Sequence, residues 1–209
     1  MSTSSQPSPE PMRQPPPEPM PELVVLLDEA GRATGTLPKA EVHHRDTPLH
    51  LAFSCYLFDD AGRLLLTRRA DTKRTWPGEW TNTCCGHPAP GETLTDAVAR
   101  RLHDELGLRA VDLRLVLPAF RYRAVMPDGT VENEMCPVLV ARCPDPDALA
   151  PDPAEVGATA WVAWEELRGD VLAGVREVSP WCVQQVVALP EQPWTAAAVS
   201  LGLPAATSL

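Results

Sequence analysis

Hydrophobic positions along the chain follow two periods. Short runs that are apolar throughout, or alternate with polar residues, predict strands. LVVLLD (Leu23–Asp28) is one, closed by the turn EAGR. LHLAFSCYLF (Leu49–Phe58) and RLLLTRR (Arg63–Arg69) flank DDAG, a hairpin signal. LRLVLPAFRYRAV (113–125) and TVENEMCPVLVARC (130–143) flank PDG and predict a second, longer hairpin. GATAWVAW (157–164) predicts a last strand. Between them, Leu94, Ala97, Val98, Leu102 and Leu106 recur at helical spacing from Thr93, and Gly107 stops the helix. SPWCVQQVVAL (179–189) predicts a closing helix. A mixed sheet with helices on its faces follows, so the class is α+β with a three-layer α/β/α arrangement.

The ends break both periods. Residues 1–20 hold Pro, Ser and Glu with almost nothing to bury, which predicts a disordered, polyproline-like tail. Residues 191–209 are rich in Ala and Pro around one Trp, either a strap over the domain or a frayed end. The domain is therefore expected over residues 21–190.

Charge and cysteine usage narrow the function. A net charge of -10 argues against nucleic acid as a partner, because phosphate binding wants a basic surface. No apolar run reaches the ~18 residues needed to span a bilayer, so no membrane partner is expected. The six cysteines contain no CxxC pair and suit a reducing, cytoplasmic setting rather than a disulfide scaffold. Against this acidic background TRRADTKRTW stands out, with Arg68, Arg69, Lys73 and Arg74 in one short loop. Lys39 and Lys73 are the only lysines in the chain. They are either compact, strongly hydrated charges needed at a site or chance survivors on the surface.

The most informative helix is GHPAPGETLTDAVARRLHDELGL (Gly86–Leu108). Gly86, Glu92, Arg100, Asp104 and Glu105 are spaced along a glycine-rich turn and the helix it feeds. This resembles the Nudix box, a loop-helix-loop that gathers carboxylates around a divalent cation on a diphosphate. Hard oxygen ligands of this kind suit Mg²⁺. A plainer reading pairs Glu105 with Arg101 at i,i+4, worth only ~0.3–0.5 kcal/mol. Where Nudix hydrolases usually carry a glutamate after the box arginine, this chain has Arg101. The reversed charge suits holding a diphosphate rather than breaking it.

Other residues fit no hydrolase. His43 and His50 bracket EVHHRDTPLH, and His87 follows two residues after Cys85. Glu132 and Glu134, at i,i+2 in VENEMCP, share one face of a strand, where burial without a cation would cost several kcal/mol. Three imidazoles and two carboxylates make an N₃O₂ set for Mn²⁺, Mg²⁺ or Zn²⁺. By spacing alone His44 serves as well as its neighbour. Adjacent residues of extended chain point to opposite faces, so Cys85 should share a face with His87 while Cys84 meets the packed side.

With TGTLPKAEVHHRDTPLHLAFS, TRRADTKRTWPGEWTNTCCGHP, FRYRAVMPDGTVENEMCPV and SPW in place, the chain from about Leu23 to Leu189 closely resembles the type I isopentenyl diphosphate isomerases. The resemblance implies a Nudix fold and interconversion of isopentenyl and dimethylallyl diphosphate through a tertiary carbocation. It implies metal ligation by His43, His50, His87, Glu132 and Glu134, with Cys85 and Glu134 as catalytic groups. Tyr122 would assist, and Trp181 would offer an aromatic wall to the cation, though packing alone would also account for a tryptophan there. Lys39, Arg69, Lys73 and Arg101 would contact the diphosphate. Its Mg²⁺ would lie on Glu105 and the Cys85 backbone carbonyl. The competing reading is a Nudix pyrophosphohydrolase acting on a prenyl or nucleoside diphosphate.

Overall fold

The computed structural model describes residues 21–197. The tail at 1–20 and the last part of the segment 191–209 lie outside the described residues. In chain order the fold begins with β1 (Leu23–Leu27), β2 (Ala33–Pro38), α1 (Lys39–Val42), β3 (His50–Leu51) and β4 (Phe53–Phe58). It continues with β5 (Arg63–Arg69), β6 (Trp80–Thr81), β7 (Cys84–Gly86) and α2 (Leu94–Leu106). Next come β8 (Val111–Leu117), β9 (Arg121–Val125), β10 (Val131–Met135), β11 (Val138–Arg142) and β12 (Val156–Ala163). The helices α3 (Trp164–Leu172) and α4 (Pro180–Ala188) close it. No described helix is long and apolar enough to cross a membrane.

Pairing divides these strands between a five-stranded sheet, β2-β1-β3-β10-β9, and a seven-stranded sheet built on β12-β5-β4-β11-β8. Three of the runs expected as single strands cross from one sheet to the other. The run at 49–58 changes sheet at Ala52, the run at 113–125 between Leu117 and Arg121, and the run at 130–143 at Cys136–Pro137. Hydrogen bonds continue across the crease: Cys136 N donates to Phe120 O at 2.8 Å and Ala52 N to Met135 O at 2.9 Å. Proline at 118 and 137 explains the second and third breaks, because each lacks the N–H a continuous ladder needs. The expected long hairpin is therefore present, folded so that its tip belongs to one sheet and its base to the other.

The seven-stranded sheet is covered on both faces. β4 is buried along its whole length. Phe53, Cys55 and Leu57 meet Leu94, Val98, Leu102 and Leu106 of α2. Tyr56 and Phe58 point the other way, toward Trp164 and Leu167 of α3 and Trp181, Cys182 and Val186 of α4. Fully burying each such side chain contributes about 1.5–3 kcal/mol, which explains why β4 reads as a nearly continuous apolar run. Thr93 caps α2 by accepting from Asp96 N at 3.1 Å, and Gly107 ends it at φ 67°. A side chain at 107 would be strained there and would bring a Cβ within 3.0 Å of Ala150 Cβ. Trp164 starts α3 instead of ending the preceding strand. Past residue 190 the chain still packs, with the Trp194 ring 5.0 Å from Phe58.

One feature of this sheet builds the site. β4 and β5 pair only at Phe58↔Leu64 and then separate. The segment 80–86 wedges between them, with β6 on β5 and β7 on β4. Where the wedge is not itself a strand, side chains replace the missing ladder. Thr83 Oγ1 donates to Leu65 O at 2.7 Å and accepts from Leu57 N at 2.9 Å. Thr67 Oγ1 donates to Asn82 O at 3.0 Å. Buried backbone groups left unpaired would cost as much as lost hydrogen bonds, so these polar residues are required in an apolar layer. Replacing Thr83 by Val orphans two buried backbone groups. Urea unfolding should show a loss of about 2–4 kcal/mol.

Candidate active site

Strand register assembles the first part of the site. His50 on β3 pairs with Glu134 on β10, and Glu134 pairs with Tyr122 on β9, so three side chains lie in one row across three strands. His43 arrives at the end of α1, and His87 from the turn after β7. The three imidazole centroids are 5.1–5.7 Å apart. Glu134 Oε1 lies 3.2 Å from His87 Nε2 and 3.5 Å from His50 Nε2. Its Oε2 accepts from the Tyr122 hydroxyl at 2.9 Å. Glu132, on the same strand face, places Oε2 2.9 Å from His43 Nε2. All five acid and imidazole side chains are buried.

These residues fit a divalent cation. Ligand atoms of His43, His50, His87 and Glu134 all lie within 4.8 Å of one another. His43 Nε2, His50 Nε2, His87 Nδ1 and Glu132 Oε2 are buried without a hydrogen bond of acceptable geometry. His50 Nδ1 faces Pro48 O at 2.9 Å and must donate to it, which leaves Nε2 as the ring nitrogen turned to the cluster. Burial pushes His87 down to about 4, so its ring is neutral, as a ligand must be. Burial alone would raise Glu134, but its bonds with His50 and His87 outweigh that and hold it well below the ordinary carboxylate range. His44 is exposed and accepts from Asp46 N at 3.1 Å, so of the two neighbours it is His43 that joins the cluster.

The two faces of β7 carry different environments. Cys84 is buried against α2 with Phe53 and Cys55, while Cys85 packs on the opposite side with the α4 layer. The Cys85 thiol donates to Asn82 Oδ1 at 3.3 Å and lies 3.3 Å from Ser54 Oγ. Burial, opposed by bonds to Ser54 and Asn82, pushes this thiol up to about 12 and keeps it neutral. Trp181 tilts over Tyr122 at 5.7 Å and meets the edge of Trp76 at 5.6 Å. A continuous path thus runs from Cys85 through Asn82, Trp181 and Tyr122 to Glu134. Sequence reasoning missed Ser54, Asn82 and Trp76. The visible signal for Asn82 was a polar run, TNT, directly before the two cysteines.

The cations expected at the diphosphate gather at the other end. Arg69, Arg101, Glu105, Glu155, Cys84 and Cys85 line one small cleft. Arg101 pairs with Glu105, the i,i+4 contact of the plainer reading, and reaches Glu155 at 3.2 Å. Lys73 also pairs with Glu155, and Lys39 pairs with Glu22 at 2.9 Å. Arg69 donates to Thr75 O at 2.9 Å and Trp76 O at 3.2 Å, pinning the basic loop. Burial raises Glu105, with Arg101 opposing. Glu92 and Arg100 form a two-pronged bridge at 2.8 Å, and Arg100 also donates to His87 O at 3.4 Å. The box residues therefore hold the turn that delivers His87. Gly86 permits this closeness, since a Cβ there would stand 3.0 Å from Arg101 Cγ. A separate cavity of about 450 Å³ around Phe58, Arg114 and Trp194 offers no comparable chemistry, its Arg142 being engaged by Asp60 and Asp112.

Comparison with known proteins gives the family of the chain. Residues 48–182 match the NUDIX domain. The isopentenyl-diphosphate Delta-isomerase of Saccharopolyspora erythraea is 60% identical over 170 residues, covering 81% of this chain and 87% of the relative. That of Mycolicibacterium vanbaalenii is 62% identical over 165 residues, covering 79% and 90%. The chain belongs to this family of Nudix proteins. At the level of the fold, a Deinococcus radiodurans protein of known crystal structure superposes with a TM-score of 0.61 at 18% identity, covering 80% of this chain and 98% of that one. The mixed strands between α2 and the α3/α4 layer are thus the Nudix sandwich.

A cluster that binds only the folded chain must stabilise it. Divalent cation at a hundredfold excess over its dissociation constant should add about 2.7 kcal/mol, read as a raised thermal midpoint. His50→Ala should remove that response. An unchanged midpoint in the wild-type protein would contradict the metal assignment.

Proposed function

We propose that this protein interconverts isopentenyl and dimethylallyl diphosphate, with Cys85 and Glu134 as its acid/base pair. The observation that carries this reading is the path linking the half-buried Cys85 thiol to the buried Glu134 carboxylate by way of Asn82, Trp181 and Tyr122. Shifting a double bond along an allyl system adds one proton to an unactivated alkene and removes another. Two acid/base groups must each reach their own carbon. A neutral thiol can give a proton without a permanent buried charge, and a carboxylate can take one. Tyr122 holds Glu134 by its phenol, and its ring with that of Trp181 gives the tertiary carbocation an aromatic face, worth ~2 kcal/mol or more when water is excluded.

His43, His50, His87, Glu132 and Glu134 would hold Mn²⁺, Mg²⁺ or Zn²⁺, and Glu105 with the Cys85 carbonyl would hold Mg²⁺, the cations supplying positive charge that polarises Glu134 and neutralises the diphosphate. Lys39, Arg69, Lys73 and Arg101 bind and orient the phosphate oxygens. The guanidinium of Arg101 occupies the place where hydrolases carry a further carboxylate, which disfavours P–O cleavage. The partner is a small-molecule diphosphate; neither nucleic acid nor membrane enters the reaction. A reducing compartment such as the cytoplasm keeps Cys85 a thiol.

Two substitutions separate the adjacent cysteines. Cys85→Ala should abolish exchange, followed by NMR, while leaving the fold and inorganic diphosphate binding intact. Cys84→Ala should cost stability on the α2 side and retain most turnover. A dead Cys84→Ala beside an active Cys85→Ala would overturn both roles. Glu105→Gln should weaken Mg²⁺-dependent diphosphate binding, with metal at the His/Glu cluster barely changed. Loss of metal from both places would show that they are not separate sites.

A further inference from the structure

We propose that Asn82 is a positioning residue that holds the Cys85 thiol and the Trp181 indole in one geometry; this rests on the isomerase reading above. Asn82 is fully buried at the centre of the wedge between β4 and β5. Its Nδ2 donates to Cys55 O at 3.1 Å and Cys84 O at 2.9 Å. Only an N–H group can face two carbonyls, so the orientation of the amide is fixed. Its Oδ1 is thereby turned to the α4 side, where it accepts from Trp181 Nε1 at 3.2 Å, Cys85 Sγ at 3.3 Å and Thr81 Oγ1 at 2.9 Å.

Three donors converge on one oxygen that has two lone pairs. Thr81 has an alternative in Ser179 Oγ at 2.8 Å, whereas the indole has Asn82 alone among the described residues. The thiol is the weakest donor of the three and is the one held least tightly. Asn82 therefore locks the indole, and with it the tilt of Trp181 over Tyr122, while keeping the S–H aimed yet free to turn to a substrate carbon. Ser54 supports the other side of the sulfur. Its Oγ accepts from Gln185 Nε2 at 2.9 Å, which leaves its own O–H for Cys85 or Cys136. Asn82 touches none of the phosphate-binding cations and none of the His/Glu cluster. Its loss should act on turnover rather than on binding.

The test uses the full chain labelled with ¹⁵N-tryptophan, the Trp181 indole resonance being assigned by its absence in Trp181→Phe. In the wild-type protein that proton should be downfield and exchange slowly with D₂O; rapid exchange at a free-indole position would overturn the proposal without any Asn82 variant. Asn82→Ala should move the resonance upfield and lower kcat about a hundredfold, as expected of a small misplacement of reacting groups. KM, metal content and the dissociation constant for inorganic diphosphate should be unchanged. Thr83→Val, which loses buried bonds in the same wedge without touching Cys85 or Trp181, should lose stability and keep kcat. An Asn82→Ala protein of normal kcat, or an equal loss of kcat in Thr83→Val, would overturn the positioning role. A wild-type protein that binds diphosphate but does not isomerise would instead overturn the reading on which it rests.

Discussion

A carboxylate buried as deeply as that of Glu134 must be paired, because leaving the charge unpaired there would cost several kcal/mol. Its partners come from three places: His50 on β3, Tyr122 on β9 and His87 beyond β7. Bringing them together requires β3, β10 and β9 to lie side by side in one register. A slip of one residue would turn Glu134 to the opposite face. The creases at Ala52 and Pro137 follow from the same need. They let strands that carry the His/Glu cluster in one sheet continue as the core strands of the other.

The wedge at 80–86 then joins this cluster to the cleft lined by Arg69, Arg101 and Glu105. β7 has one face toward α2, where Glu105 and Arg101 lie, and one toward α4, where Trp181 lies. Cys85 stands at the junction, with its thiol toward Asn82 and the α4 layer and the residue itself lining the cleft of Arg69, Arg101 and Glu105. The Glu92–Arg100 bridge fixes the turn between wedge and helix.

Much of this was legible in the sequence because the signals were local. Helical spacing from Leu94 to Leu106 and the cap residues Thr93 and Gly107 defined α2. The i,i+2 spacing of Glu132 and Glu134 gave a shared face, and the alternation at Cys84 and Cys85 separated their environments. What stayed hidden depends on pairing between distant segments. No local pattern shows that His50, Glu134 and Tyr122 form one row, or that the runs at 49–58, 113–125 and 130–143 each change sheet. β2 escaped notice because ATGTLP has no apolar alternation and lies largely exposed. Which of His43 and His44 joins the cluster depends only on which ring turns inward. Asn82 read as part of a polar turn, since its importance arises from backbone carbonyls that belong to other elements.

The central claim is that a proton is added at one carbon and removed at another without breaking a P–O bond. Incubating the metal-loaded protein with isopentenyl diphosphate in D₂O tests it directly. Deuterium should appear in a methyl group of dimethylallyl diphosphate and, through the reverse reaction, in isopentenyl diphosphate, with no phosphate released. Release of inorganic phosphate without deuterium in the remaining substrate would contradict the account.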